Sequence, residues 1–177
     1  SKALAIDAQA PQALFQRGEA YRRLGKLADA ISDFNETIRR EPSHFQAYAS
    51  RGMLYQKGGD WDRAIADFTK VIELNPRYAI AYHNRGFVYR RMGEYDRAIL
   101  DFTKAIEIDP KYAKAYANRG ITNAILKKYE DAIKNYTKAI EIDPKLAMAY
   151  NERGNAYNGL KKYEEALKNY TKAIEID

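Results

Sequence analysis

The chain has 177 residues, of which 46% are hydrophobic and 31% charged, and its 30 basic and 24 acidic side chains leave a net charge of +6. That balance excludes a disordered tail and fits a soluble helical protein, with a mild bias toward acidic partners. The absence of cysteine excludes disulfides and thiolate metal sites, and no apolar run is long enough to cross a bilayer as a helix.

The first ten residues, SKALAIDAQA, show no charged segment followed by an apolar core, so no export or membrane signal is visible in them and a cytoplasmic location is the expectation. They align instead with TKAIEIDPKY at 103–112. Residues 1–10 therefore read as the end of a second helix of a preceding unit, and Pro11 is expected to open the next helix. From there the chain repeats every 34 residues, in units 11–44, 45–78, 79–112, 113–146 and 147–177. The last stops short of its proline position.

Each unit reads as a pair of helices. In the third, Tyr82, Arg85, Gly86 and Tyr89 follow three- and four-residue spacing, the pattern breaks at Met92-Gly93, and it resumes with Ala98, Phe102, Ala105 and Ile106. Gly93 predicts a stop and restart. Pro42, Pro76, Pro110 and Pro144 each predict the end of a second helix, because a proline disfavours helical geometry in the residue before it and has no amide to continue the ladder. Gly18, Gly52, Gly86, Gly120 and Gly154 recur on the first helices, and Ala30, Ala64, Ala98, Ala132 and Ala166 on the second. Small residues in register permit close helix crossing.

The set Tyr82, Arg85-Gly86, Tyr89, Ala98, Phe102 and Pro110, in five in-phase copies, resembles the tetratricopeptide repeat. The resemblance implies an all-α fold, a right-handed superhelical α-solenoid of antiparallel helix pairs whose first helices line a concave surface. One departure recurs in every unit: Arg17, Arg51, Arg85, Arg119 and Arg153 stand where the family usually has leucine. Such arginines should lay their stems along the packed tyrosines and carry the guanidinium to an acceptor, with Asp33, Asp67, Asp101, Asn135 and Asn169 as the candidates.

All fifteen tyrosines fall on recurring positions and read as packing residues, as do Trp61, Phe34, Phe68 and Phe102, which leaves Phe15, Phe45 and Phe87. The first-helix face turned away from the second helix carries Phe15 in the first unit, Met53 and Lys57 in the second, His83, Phe87 and Arg91 in the third, and Ile121 and Ile125 in the fourth. Met53, Phe87 and Ile121 form an expected apolar stripe, flanked by His83, Asn84 and Asn118, while Arg22, Arg23, Lys57, Arg90 and Arg91 make one rim basic. A groove of that kind suits an acidic peptide or helical segment with one or two apolar anchors. The clamp by which some members hold acidic chaperone tails has no match here: its first lysine and asparagine positions hold Phe15 and Glu19, Ala49 and Met53, or His83 and Phe87.

Catalysis finds no support. His44 and His83 lie on different units without metal-ligand spacing, and Gly58-Gly59 sits in an inter-helix turn, not in a strand-to-helix phosphate loop. No cofactor is expected, and the chain reads as non-enzymatic. Single-stranded RNA is the alternative ligand, weakened because only Phe15 and Phe87 remain as stacking platforms among the basic residues, and the repeat region of a larger enzyme is the other alternative. Neither end carries the polar outer face that closes a repeat array. The pattern Ala166, Leu167, Tyr170, Ala173 and Ile174 on the last helix accordingly predicts self-association there.

Overall fold

Ten α-helices account for most of residues 2–176, the residues that the computed structural model describes, with side chains described from Ala10 onward. None is long and apolar enough to cross a membrane. The chain divides into two compact units, 1–88 and 89–177.

In the first unit, α1 (Lys2–Arg23) packs on α2 (Leu27–Arg40), α2 on α3 (Phe45–Gly58), and α3 on α4 (Trp61–Leu74). α5 (Ala79–Arg91) begins in this unit. In the second, α6 (Tyr95–Ile108), α7 (Ala113–Ile125), α8 (Tyr129–Ile142), α9 (Ala147–Gly159) and α10 (Tyr163–Ile176) pack each on the next. The expected stops are in place. Glu41, Asn75, Asp109 and Asp143 close the second helices with φ of −133, −140, −128 and −129°, the extended backbone that a following proline imposes.

The turn between the helices of a pair needs one left-handed residue. Gly25, Gly59 and Gly93 supply it with φ of 75, 78 and 82°, whereas the last two repeats place Lys127 and Lys161 there, each at φ 59°. A side chain in that region costs about 1 kcal/mol, which the packing of the flanking helices must offset.

One expectation is corrected at the start of the chain. Pro11 does not open a helix: α1 runs unbroken from Lys2 and holds Pro11 inside it. The missing amide removes one hydrogen bond from the ladder. Against that loss, Pro11 is buried over α2, its carbonyl 3.5 Å from the Thr37 hydroxyl, which donates to the Asp33 carbonyl at 2.8 Å.

The cores are small and repeat with the sequence. Ala64, Phe68 and Val88 form one, with Tyr55, Trp61 and Ile65 packed against it, and Ala132, Tyr136 and Ala156 form its counterpart in the second unit with Ile121, Tyr129 and Ile133. The glycines of the first helices are required by close approach. A Cβ on Gly18 would lie 2.7 Å from the Phe34 ring, on Gly52 3.0 Å from Phe68, on Gly120 2.7 Å from Tyr136 and on Gly154 2.6 Å from Tyr170.

The ladder arginines bond within the repeats. Arg17 forks onto Asp33 with two bonds of 2.7 Å, and Arg51 onto Asp67 with bonds of 2.9 and 2.6 Å. Arg119 and Arg153 donate through Nε to Asn135 at 2.8 Å and Asn169 at 2.7 Å. Each arginine from the second onward also reaches back to the preceding second helix: Arg51 to Asn35 at 2.6 Å, and Arg85, Arg119 and Arg153 to Thr69, Thr103 and Thr137 at 3.0 Å. The guanidinium planes lie over tyrosines of the same helix, 5.5 Å from the Tyr48 centroid for Arg51 and 5.7 Å from Tyr116 for Arg119. Arg51, Arg119 and Arg153 thus each tie three helices, which gives them a scaffold role apart from the peptide-facing side of the first helices.

Candidate peptide-binding surface

Because the packing tyrosines and the ladder arginines bond within the repeats, a peptide surface is sought on the opposite side of the first helices. In the first unit, Phe15 is not free there: its ring stands 5.9 Å from Phe34 and 4.8 Å from His44, inside the cluster of Ala30, Phe34 and Leu54. Phe45 likewise meets Tyr78 edge-on at 5.4 Å. Met53 is 37% exposed, Arg23 and Lys57 are exposed, Phe87 and Asn84 are half-buried, and His83 is buried with Nδ1 3.2 Å from the Asn84 amide oxygen.

Arg22 is engaged in a short polar chain. Its Nη2 donates to Glu19 at 2.7 Å, and Glu19 accepts from the Ser50 hydroxyl of α3 at 2.7 Å. Burial raises the Glu19 pKa, and the bonds from Arg22 and Ser50 outweigh it, leaving the carboxyl below its ordinary value. This chain had escaped the sequence reading. Its signal is the column Ser50, Asn84, Asn118 and Glu152, polar in each successive repeat.

In the second unit, Arg90 donates to Asn118 at 3.2 Å, and Asn118 donates to the Lys114 carbonyl at 3.0 Å. Burial lowers the Arg90 guanidinium below its usual range, and the neighbouring Arg91, which is exposed, adds to that. Ile121, of the predicted stripe, is half-buried against Ala132, Tyr136 and Ala156, whereas Ile125 on the same first-helix face is 46% exposed. Tyr163 departs from its expected packing role in the same way, at 58% exposure. Glu152 accepts from Asn155 at 3.2 Å, and Asn155 accepts from the Tyr170 hydroxyl at 2.9 Å.

Tyr136 occupies the place of Phe34, Phe68 and Phe102, and its hydroxyl is buried without a hydrogen-bond partner. The acceptor that Tyr170 finds in Asn155 is replaced one repeat earlier by Ile121. Burial pushes the Tyr136 phenol well above its ordinary value, with the charge of Glu152 adding to it. Replacement by phenylalanine, Tyr136→Phe, should therefore stabilise the chain by about 1–2 kcal/mol, seen as a higher denaturation midpoint.

One tetratricopeptide-repeat model matches residues 79–112, 113–146 and 147–177, a second matches 11–44, and a TPR-repeat model matches 52–93. The chain belongs to the tetratricopeptide-repeat family. No curated protein sequence matches it. Among solved structures it is similar to a MamA protein, at 27% identity and a TM-score of 0.85 over 96% of this chain and 92% of that one. It is similar in fold to YrrB, described as a TPR protein with an unusual peptide-binding site, at 20% identity and a TM-score of 0.79 over 99% and 91% of the two chains. PilF of Pseudomonas aeruginosa has the same fold at 18% identity and a TM-score of 0.86, covering 97% of this chain and 78% of that one. These likenesses and the repeats themselves make the chain an all-α helical-repeat protein of the kind that serves as an interaction scaffold.

Proposed function

We propose that the chain is a non-enzymatic scaffold whose first-helix face holds a peptide or helical segment that is acidic and carries one or two apolar anchors. The observation that carries this reading is the first-unit surface where exposed Met53 and half-buried Phe87 are accompanied by exposed Arg23 and Lys57, which are not consumed in the ladder. Apolar anchors gain area burial on the first pair and carboxylates meet the second. The peptide-binding site described for YrrB, which shares the fold, is consistent with a peptide as ligand.

The test is selection of peptides on the intact chain, followed by titration of the selected sequences by fluorescence anisotropy. Acidic sequences with apolar residues at fixed spacing should dominate, and Phe87→Glu and Lys57→Glu should each weaken them at least tenfold, about 1.4 kcal/mol, with helicity unchanged. Equal binding by all three proteins would overturn the reading. A single-stranded RNA ligand would instead show affinity that falls steeply with salt in the same titration.

A second copy of the chain is also proposed as a partner, through α10. Its sequence YEEALKNYTKAIEI differs only at Glu165 and Leu167 from YEDAIKNYTKAIEI of α8, whose Ala139 packs on Ala149 of α9, and on α10 Leu167 is 65% and Ile174 78% exposed. Sedimentation of the unliganded chain across the concentrations used for titration reads that association directly, and a strictly monomeric species throughout would exclude it.

A further inference from the structure

The ladder arginines are alike in sequence and unlike in what meets their charge. Arg51 places Nε and Nη2 on the two carboxylate oxygens of Asp67, at 2.9 and 2.6 Å, and Nη1 on the Asn35 amide oxygen at 2.6 Å. Every arm of the fork has an acceptor, and the charge has a counter-charge. Arg119 places Nε on the Asn135 amide oxygen at 2.8 Å and Nη1 on the Thr103 hydroxyl at 3.0 Å, and both acceptors are neutral. The second arm of the Asn135 amide is a donor, and it is turned to the Asp131 carbonyl at 2.7 Å. Where Asp67 offers a second oxygen, Asn135 therefore offers no second acceptor, and Nη2 of Arg119 meets no acceptor among the described residues.

Arg119 lines an open furrow. A furrow of about 360 Å³ lies between α6 and α8, with α7 as its floor, and Arg119, Asn123, Thr103 and Lys134 line it. Lys134 is exposed and stands 3.4 Å from Asp131, so the furrow wall holds two cations and one carboxylate. The guanidinium is half-buried, and burial lowers its pKa below the ordinary value with no carboxylate to counter it.

We infer that this furrow is an oxyanion site, in which a carboxylate or phosphate group seats on Nη2 of Arg119 with Lys134 at its mouth, taking the place that the Asp67 carboxylate has in the second repeat. It is distinct from the peptide surface, since it lies over the second helices. A partner's acidic side chain and a free phosphate share the chemistry it recognises. The fifth repeat carries the same pattern, with Arg153 on Asn169 at 2.7 Å and on Thr137 at 3.0 Å, and the Asn169 amide turned to the Glu165 carbonyl at 2.8 Å.

The arginine Nε–H resonances of the intact chain, labelled with nitrogen-15, report on the site during titration with sodium phosphate or sodium acetate at constant ionic strength. The Arg119 resonance should move saturably, while that of Arg51, already paired, stays fixed. Saturation with both anions identifies a carboxylate-accepting site, and saturation with phosphate alone identifies a phosphate site. Asn135→Asp, nearly isosteric, supplies the missing oxygen from within and should weaken the anion at least tenfold. Asn135→Asp/Asn169→Asp should also unfold at a higher temperature than the parent in anion-free buffer and lose its stabilisation by phosphate. Linear, unsaturated shifts of equal size at Arg51 and Arg119, or phosphate stabilisation undiminished in the double variant, would overturn the site.

Discussion

Replacing Arg51 by alanine should cost about 3–5 kcal/mol, the largest loss expected from any single polar substitution in the chain, because it leaves a buried carboxylate without its partner. The Asp67 side chain is 5% exposed and that of Arg51 only 18%, so water does not reach the vacated position freely. Burial already pushes the Asp67 pKa up in spite of the fork from Arg51, which shows how near to unfavourable the isolated charge stands. The same change at Arg17 should cost far less, since Arg17 is 60% exposed and its departure admits solvent to Asp33. Repeat arrays need not unfold in one step, so the readout is hydrogen exchange of the α3 and α4 amides, where protection should collapse locally. Removing both partners with apolar replacements, Arg51→Met/Asp67→Leu, should recover most of the loss. A loss below about 1 kcal/mol for Arg51→Ala would mean that the pair is solvated in solution.

The ladder was legible because its two partners recur together at a fixed offset of 16 residues, as do the small residues at the helix crossings and the prolines that close the second helices. What recurs in sequence reports on contacts that recur in space. Contacts made once are invisible to that reasoning. Phe15 stacks near His44 and Phe45 meets Tyr78, yet their columns hold alanine or other residues elsewhere, so they look like surface residues left over. Ile121 shares a column with Met53 and Phe87 but is drawn toward Tyr136, whose hydroxyl has no counterpart in the phenylalanine repeats. Pro11 resembles a helix start by every local rule, and only its burial, with its carbonyl beside the Thr37 hydroxyl, shows what accompanies the helix running through it. The open arm of Arg119 lay between these cases. The change from aspartate to asparagine is plain in the sequence, whereas the turn of the amide nitrogen toward a backbone carbonyl is a matter of geometry.

Alanine at Gly120 tests the other recurring contact, and here the magnitude depends on what can give way. A Cβ built on Gly120 lies 2.7, 2.9 and 3.1 Å from three atoms of the Tyr136 ring, and that ring is fully buried. The ring cannot swing aside, so the helices must part, at an overpacking cost of about 1–3 kcal/mol. Helix propensity opposes this by up to about 1 kcal/mol, since alanine is the better helix former, and the net should still be a clear loss. Gly154→Ala meets Tyr170 at 2.6 Å, but that ring is only half-buried, so its penalty should be the smaller of the two. Gly58 provides the control: it lies at the end of α3 with nothing within 4 Å, and Gly58→Ala should leave stability unchanged or raise it by about 0.5–1 kcal/mol. Thermal unfolding of the three variants, with hydrogen exchange of α7 and α8 to localise the effect, gives the ranking. If Gly120→Ala and Gly58→Ala behave alike, the close approach of α7 to the Tyr136 ring does not hold in solution.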